Sequence, residues 1–376
     1  MTYDLLITGG RVIDPAQGLD GPADVALLQG RVAAVEADLS GFEAVSRLDA
    51  TGCLVVPGLI DLHTHVAFRL DAISIEADRH APSSGVTTWV DAGSAGAANF
   101  AGFRHYVIEP SCVRILPFLN VSEPGLTCLE VVHGVIEHLD ADSAFRAVEE
   151  NRDLMKGIKV LSCAMRVGPT GLTPLRVALE VGRATDLPVM CHIGAPPPGL
   201  GDMLPLMRPG DIVTHIYKGR KGCLMVGNDR VRPEAWEARR RGVLFDVGHG
   251  AGSFSWEVAR AALDQGFPPD FISSDLHRSS VGSGAFSLPS VMSKFLHLGL
   301  PLQEVVQLVT DAPARVLGLQ GEVGCLRPGA CGDVTVLRLE EGRFPLADCE
   351  GVQEELHQRL VAVRTVAAGV ELDACS

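Results

Sequence analysis

The sequence predicts an α/β protein, a (β/α)8 TIM-type barrel with a small β-sandwich built from both chain ends. Three observations predict it. The chain has 376 residues, room for a barrel of about 250 residues and a smaller unit beside it. Its middle alternates strand-like and helix-like runs, the pattern of parallel βα units. Its two ends share a different texture, short strands broken by Gly and Asp turns.

At the N-terminal end that texture runs through YDLLITGGRVID, DVALLQGRVAAVEA and SRLDATGCLVVPG; after Gly332 it returns in DVTVLRLEEGRF and LVAVRTVAAGVEL. The expected division is therefore a composite sandwich of residues 1–56 plus 331–376 around a barrel of residues 57–330. Within the middle, the candidate strands in chain order are GLIDLHTH, VTTWVDAG, VRILPFLN, GIKVLS, PVMCHI, DIVTHI, GVLFDV and FISSD. Helical runs such as SAFRAVEENRDLM, TPLRVALEVGRATD, PEAWEARRRG and SWEVARAALDQG separate them, several with Pro at the start and Gly near the end. An open doubly wound sheet would show a Gly-rich phosphate fingerprint after its first strand. The first unit ends instead in DLHTHVAF.

Composition narrows the partners. Hydrophobic residues make up 47% and charged ones 21%, which is globular. The net charge of −14 repels nucleic acid and anionic membrane at long range. A small anionic substrate stays open, because a few arginines or metal ions in a cleft reverse the local field. No run approaches the roughly 18 apolar residues of a membrane span, and Met1 to Pro15 lacks the basic and apolar regions of a secretory signal. A cytoplasmic location is expected. The ten cysteines are scattered without a CxxC pair, so reduced thiols are expected there. A homo-oligomer is compatible with all of this.

The chemistry begins at His63 and His65, two apart near the end of the first barrel strand, where side chains at i and i+2 share a face. Lys159, His192, His215 and Asp275 then fall at the C-terminal ends of later strands, the rim where barrel enzymes place catalytic groups. Any one of these alone reads as an ordinary strand residue; their joint spacing does not. Burial of Lys159 in an apolar strand would push it toward the neutral amine, which can take up carbon dioxide as a carbamate. Lys156 competes, but lies where helix passes into strand, at the opposite end.

This order, HxH on strand one, Lys on strand four, His on strands five and six and Asp on strand eight, resembles the binuclear amidohydrolase superfamily. The runs VTTWVDAGSAGAANFAGFR, MKGIKV, IGAPPP, RPGDIVTHIYKG and DVGHGAGSFSW look most like its amidohydrolase/deacetylase group, described as dihydroorotase-like. The resemblance covers nearly the whole chain. It implies a deacetylase acting on acylated small acids, such as acylated α-hydroxy acids of the acetyl-mandelate type. It also implies that His63, His65 and Asp275 hold a first divalent metal ion and His192 and His215 a second. Carboxylated Lys159 and a hydroxide would bridge them, and Asp275 would carry the hydroxide's proton to the leaving group. Nitrogen and oxygen ligands suit zinc, and manganese or iron fits as well.

Around this core, His249 and His277 could touch substrate, or pack in loops. Arg166, Arg278 or Lys218 could pair with a substrate carboxylate. Asp61 and Asp91 could orient ligand histidines through their second ring nitrogens, or cap loop amides. Two further readings stand beside the deacetylase. One is a cyclic amidohydrolase of the dihydroorotase or hydantoinase type; enzymes of the first type carry an arginine two residues after the HxH, where this chain has Ala67. The other is a non-catalytic scaffold of the dihydropyrimidinase-related kind, which would have no use for six filled ligand positions. A mononuclear variant would present a Glu in the bridging region and a phosphate-binding cluster, and neither is seen.

Overall fold

A computed structural model describes residues 2–219, 224–226, 230–281 and 287–373. Seven strands follow one another in a single sheet: Leu59–Thr64, Val86–Gly96, Arg114–Asn120, Gly157–Ser162, Val189–Ile193, Ile212–Thr214 and Leu244–Asp246. Every neighbouring pair is parallel. The expected eighth strand, FISSD, forms no continuous ladder. Phe271–Asp275 is an extended segment that closes the barrel through two single parallel bridges, Asp246 to Phe271 on one side and Thr64 to Leu276 on the other. Side chains hold it where a ladder would: Asp61 accepts the Ser274 N–H (3.0 Å), and the Ser273 hydroxyl donates to Asp246 (2.6 Å).

The barrel strands are apolar on both faces, as parallel strands buried under helices must be. Ile60, Leu62, Val90, Ala92, Leu116, Phe118, Met190, Ile212 and Phe271 fill the barrel interior, and Ala314, Leu317 and Val323 close its lower end. The alternate residues, among them Trp89, Ile115, Ile158, Val160, Val189 and Phe245, join the larger core shared with the outer helices. The helical runs read from the sequence fold as Ala141–Glu150, Thr173–Thr185, Pro233–Arg240 and Trp256–Asp264. Asp140 caps the first of these, accepting the N–H groups of Asp142 and Ser143.

Both chain ends build the sandwich. One sheet pairs Arg31–Glu36, Asp24–Leu28, Tyr3–Thr8 and Ala44–Asp49; the other runs Val370–Glu371, Gln353–Ala367, Val334–Ala347, Leu54–Pro57, Arg11–Asp14 and Leu19–Pro22. Leu5, Ile7, Val25 and Leu27 from the first sheet meet Val12, Val55, Val336 and Val366 from the second. The long hairpin Val334–Ala347/Gln353–Ala367 reaches beyond the sandwich. Leu356 and Leu360 in its outer half join the barrel core, and the Leu360 N–H donates to the Ser293 hydroxyl (2.8 Å) of helix Leu288–His297. Among the described residues no cysteine is in a disulfide, and no helix is long and apolar enough to cross a membrane.

Candidate metal centre

Residues that the sequence scatters over two hundred positions converge at the C-terminal rim. A register shift between Asp61 and Thr64 in the pairing of the first two strands re-aims the chain there, as bulges do. His63 Nε2 and His65 Nε2 then lie 3.5 and 3.3 Å from Asp275 Oδ1. All three residues are buried, and one ligand atom from each falls within 4.8 Å of the others.

The far nitrogens explain why the near ones are available. His63 Nδ1 meets Thr214 Oγ1 at 2.8 Å and lies 3.4 Å from Asp246 Oδ2, and the Thr214 hydroxyl itself donates to Asp246 (2.7 Å). A hydroxyl that gives its proton to a carboxylate accepts from the imidazole, so the His63 proton belongs on Nδ1 and the lone pair on Nε2. His65 Nδ1 meets the Ser94 hydroxyl at 2.9 Å, and His215 Nδ1 meets the Gly248 carbonyl at 2.6 Å. Burial, with the Lys159 charge beside it, holds His63 well below the usual imidazole range; burial does the same for His192 and His215. Three imidazoles are thus kept neutral, the form that binds a cation. Burial works against ionisation of Asp275, but the surrounding His63, His65, His215 and His277 prevail and hold its carboxyl well below the usual carboxylate range.

Lys159 lies within this group, its Nζ 3.0 Å from His63 Nε2 and 3.4 Å from Met190 Sδ. Burial lowers its pKa to about 8 against the opposing pull of Asp275 and Asp246. Gly93 makes room for it: at φ 78° it takes a left-handed conformation, and a Cβ there would stand 2.4 Å from Lys159 Cβ. Lys156 precedes the strand, is partly exposed, and binds back to the Pro117 carbonyl through its backbone N–H. The His192 and His215 rings are 4.4 Å apart, and His63 and His215 5.0 Å. His215 (φ 73°) and Asp275 (φ 48°) both adopt left-handed backbone, uncommon without glycine and concentrated at functional sites.

Other candidates fall elsewhere. His249 is fully buried with both ring nitrogens engaged, Nδ1 by the Gly250 carbonyl (2.8 Å) and Nε2 by Lys294 Nζ (2.8 Å), and its ring stacks on Phe254. Where contact with substrate was expected of it, the protein itself holds both ring nitrogens. Arg166 spends its guanidinium on the Leu129 carbonyl (2.6 Å), and Arg278 is exposed on a cavity of about 430 Å³ beyond the rim, with Phe68, Arg69 and His80. Neither reaches the centre. His277 stays beside it, its Nδ1 on the Asp275 carbonyl oxygen (2.6 Å) and its ring 6.2 Å from that of His65. Asp61 and Asp91 orient no histidine ring. Burial pushes Asp61 up to about 7 while it accepts from Ser274; Asp91 caps the Val66 and Ser94 N–H groups. The partners actually used, Thr214, Asp246 and Ser94, escaped the sequence reading. Asp246 left a signal there, as an acid inside the apolar run GVLFDV.

A closed parallel barrel with buried His and Asp donors gathered on its C-terminal rim defines a metal-dependent hydrolase. No family model matches the chain. Among curated proteins it is 36% identical over 349 residues to a deacetylase of Agrobacterium fabrum, covering 92% of this chain and 85% of that one. It is 30% identical over 372 residues to a deacetylase of Enterococcus faecalis, covering 98% and 99%. Among solved structures it superposes on an adenine deaminase with a TM-score of 0.92 at 30% identity, covering 99% of this chain and 100% of that one. A dihydroorotase follows with a TM-score of 0.87 at 31% identity and 98% of both chains. The chain belongs to the amidohydrolase superfamily and groups with its deacetylases.

Proposed function

We propose that the protein is a binuclear metal-dependent deacetylase that removes an acyl group, most simply acetyl, from a small carboxylate-bearing ester or amide. The observation that carries this reading is the buried Lys159 amine against His63 Nε2, among imidazoles of which His63, His65 and His215 have their far nitrogens tied off. The donor set fits two cations: His63, His65 and Asp275 for one, His192 and His215 for the other, with Lys159 between them as a carbamate. Carbamate formation joins the Lys159 nitrogen to carbon dioxide and releases a proton, exchanging a donor for two acceptor oxygens. A neutral amine is needed for that step, and the lowered pKa of Lys159 supplies a large fraction of it near pH 8.

Cations bound there would lower the pKa of a shared water from about 15.7 toward about 7 and polarise the acyl carbonyl. The residues do the rest. Thr214 and Asp246 keep the His63 proton on Nδ1, and Gly248 does the same for His215. Ionised Asp275 takes the proton of the attacking water and returns it to the leaving oxygen or nitrogen as the acyl bond breaks. Glycines at 248 and 250 give these groups space, since a Cβ on either would stand 2.2 Å from Thr214 Oγ1 or Asp275 Oδ2.

The likeness to a dihydroorotase favours a second reading, hydrolysis of a cyclic amide by the same water. Ala67 weighs against it, being fully buried in the apolar core with no cation to offer a carboxylate. The test is elemental analysis of the protein purified with divalent metal and bicarbonate, run beside hydrolysis of O-acetyl hydroxy acids, N-acetyl amino acids, dihydroorotate and adenine. About two ions per chain with acetate released is the expected result. Ring opening of dihydroorotate, or ammonia from adenine, without acetate release would overturn the proposal.

A further inference from the structure

We propose that Lys218 anchors the substrate carboxylate and so makes the enzyme selective for acyl groups carried next to an acid, as in O-acyl α-hydroxy acids. The inference rests on the deacetylase reading and adds the residue that sets its substrate class. Lys218 sits three residues after His215, in a turn closed by its own N–H on the His215 carbonyl (3.1 Å). Its Nζ crosses to the loop after the seventh strand, donating to the Gly252 carbonyl (3.0 Å) and the Ser253 hydroxyl (3.1 Å). That loop also carries Gly250, where a Cβ would stand 2.2 Å from Asp275 Oδ2. The ammonium therefore bridges two rim loops, from the turn that follows His215 to the loop after the seventh strand.

Two further facts make it a binding group and not a strut. An ammonium has three N–H donors, and two are used by neutral partners. The protein carries 46 acidic residues against 32 basic ones, yet Lys218 forms no ion pair among the described residues. A half-buried cation near the rim that makes no ion pair among the described residues suits a carboxylate brought by the ligand. Burial is the main influence on the Lys218 ammonium and lowers its pKa, with Asp275 close enough to oppose it, and the Lys218 charge is felt in turn by His192 and His215. The rival cations are placed worse: Arg166 is bound to a carbonyl, Arg278 is exposed, and Arg69 lies over the Phe68 ring at 5.1 Å.

The test compares O-acetyl-lactate with its uncharged methyl ester on metal-loaded wild type, Lys218→Met and Lys218→Arg. A charge-assisted hydrogen bond lost on one substrate predicts a fall of about ten- to a hundred-fold in kcat/KM for the acid, mostly in KM. The ester should change less than about threefold, and Lys218→Arg should recover part of the loss. Calorimetry of lactate and lactamide binding to the same proteins reads the anchor without turnover. If wild type releases acetate while Lys218→Met loses nothing, or loses equally on both substrates, the anchor is overturned and the deacetylase stands. If wild type hydrolyses neither compound but lactate binding still depends on Lys218, the deacetylase reading falls and the anchor stands. Lactate binding indifferent to Lys218 overturns the anchor whatever the turnover.

Discussion

Replacing Thr214 with Val tests whether the site is oriented from behind. The change is close to isosteric, so the barrel keeps its packing while one oxygen disappears. That oxygen accepts from His63 Nδ1 at 2.8 Å and donates to Asp246 Oδ2 at 2.7 Å, and all three side chains are fully buried. Leaving a buried donor or acceptor unmet costs about 1–3 kcal/mol. Asp246 keeps the Ser273 hydroxyl, and His63 keeps Asp246 at 3.4 Å, which puts the loss toward the lower end of that range. The effect on the centre should be larger than the effect on the fold. Removing the partner behind a metal-binding histidine typically costs about 10- to 100-fold in affinity, because the ring loses both tautomer and aim. Competition with a graded series of chelators measures affinity, and thermal unfolding of the metal-free protein measures the fold. Metal affinity and turnover equal to wild type would refute the claim that Thr214 and Asp246 set the His63 lone pair.

Asp275→Asn should keep much of the bound metal while lowering kcat by about 10²–10⁴-fold; unchanged turnover in a steady-state assay removes Asp275 from the proton path. Lys159→Ala should lower both metal content and activity, with activity partly restored by short carboxylic acids, and Lys156→Ala should do neither; the reverse pattern would make Lys156 the bridging residue. Gly93→Ala places a Cβ 2.4 Å from Lys159 Cβ at φ 78°, so unfolding measurements should show a loss of about 2–4 kcal/mol from strain and overpacking together. A Gly93→Ala protein as stable as wild type would mean the lysine can sit elsewhere.

The barrel was legible because parallel strands buried on both faces write themselves as apolar runs, and the runs carrying His65, Lys159, His192 and His215 kept that signature. FISSD resembled them, yet its two serines carry hydrogen bonds sideways to Asp61 and Asp246 in place of a ladder. The rim histidines could be read from spacing, since period two holds along a strand. What lies behind them could not, because Thr214 and Asp246 meet His63 from 151 and 183 positions away only after the barrel closes. The same limit governed His249. In the sequence it stands where a substrate contact would; in space it turns to Lys294, which helix Leu288–His297 supplies.

That misreading shows how the site is divided. On the first and sixth strands a histidine's far nitrogen is tied to neutral groups or to a carboxylate already holding hydroxyl protons, leaving the near nitrogen basic. On the loop after the seventh strand, His249 has both nitrogens used, and its backbone does the work instead. Its N–H reaches the Ser273 carbonyl (3.1 Å), and the next N–H, of Gly250, reaches the Ser274 carbonyl (2.9 Å). Those two bonds grip the segment that lacks a ladder, immediately before Asp275 departs at φ 48°. A left-handed aspartate costs on the order of 1–3 kcal/mol, and an unsupported segment would relax to avoid it. The buried Lys294–His249 contact fixes the loop, the loop fixes the extended segment, and the segment holds Asp275 against the histidines. Preorganisation of the acid at this rim therefore depends on a histidine whose own ring is held by Gly250 and Lys294.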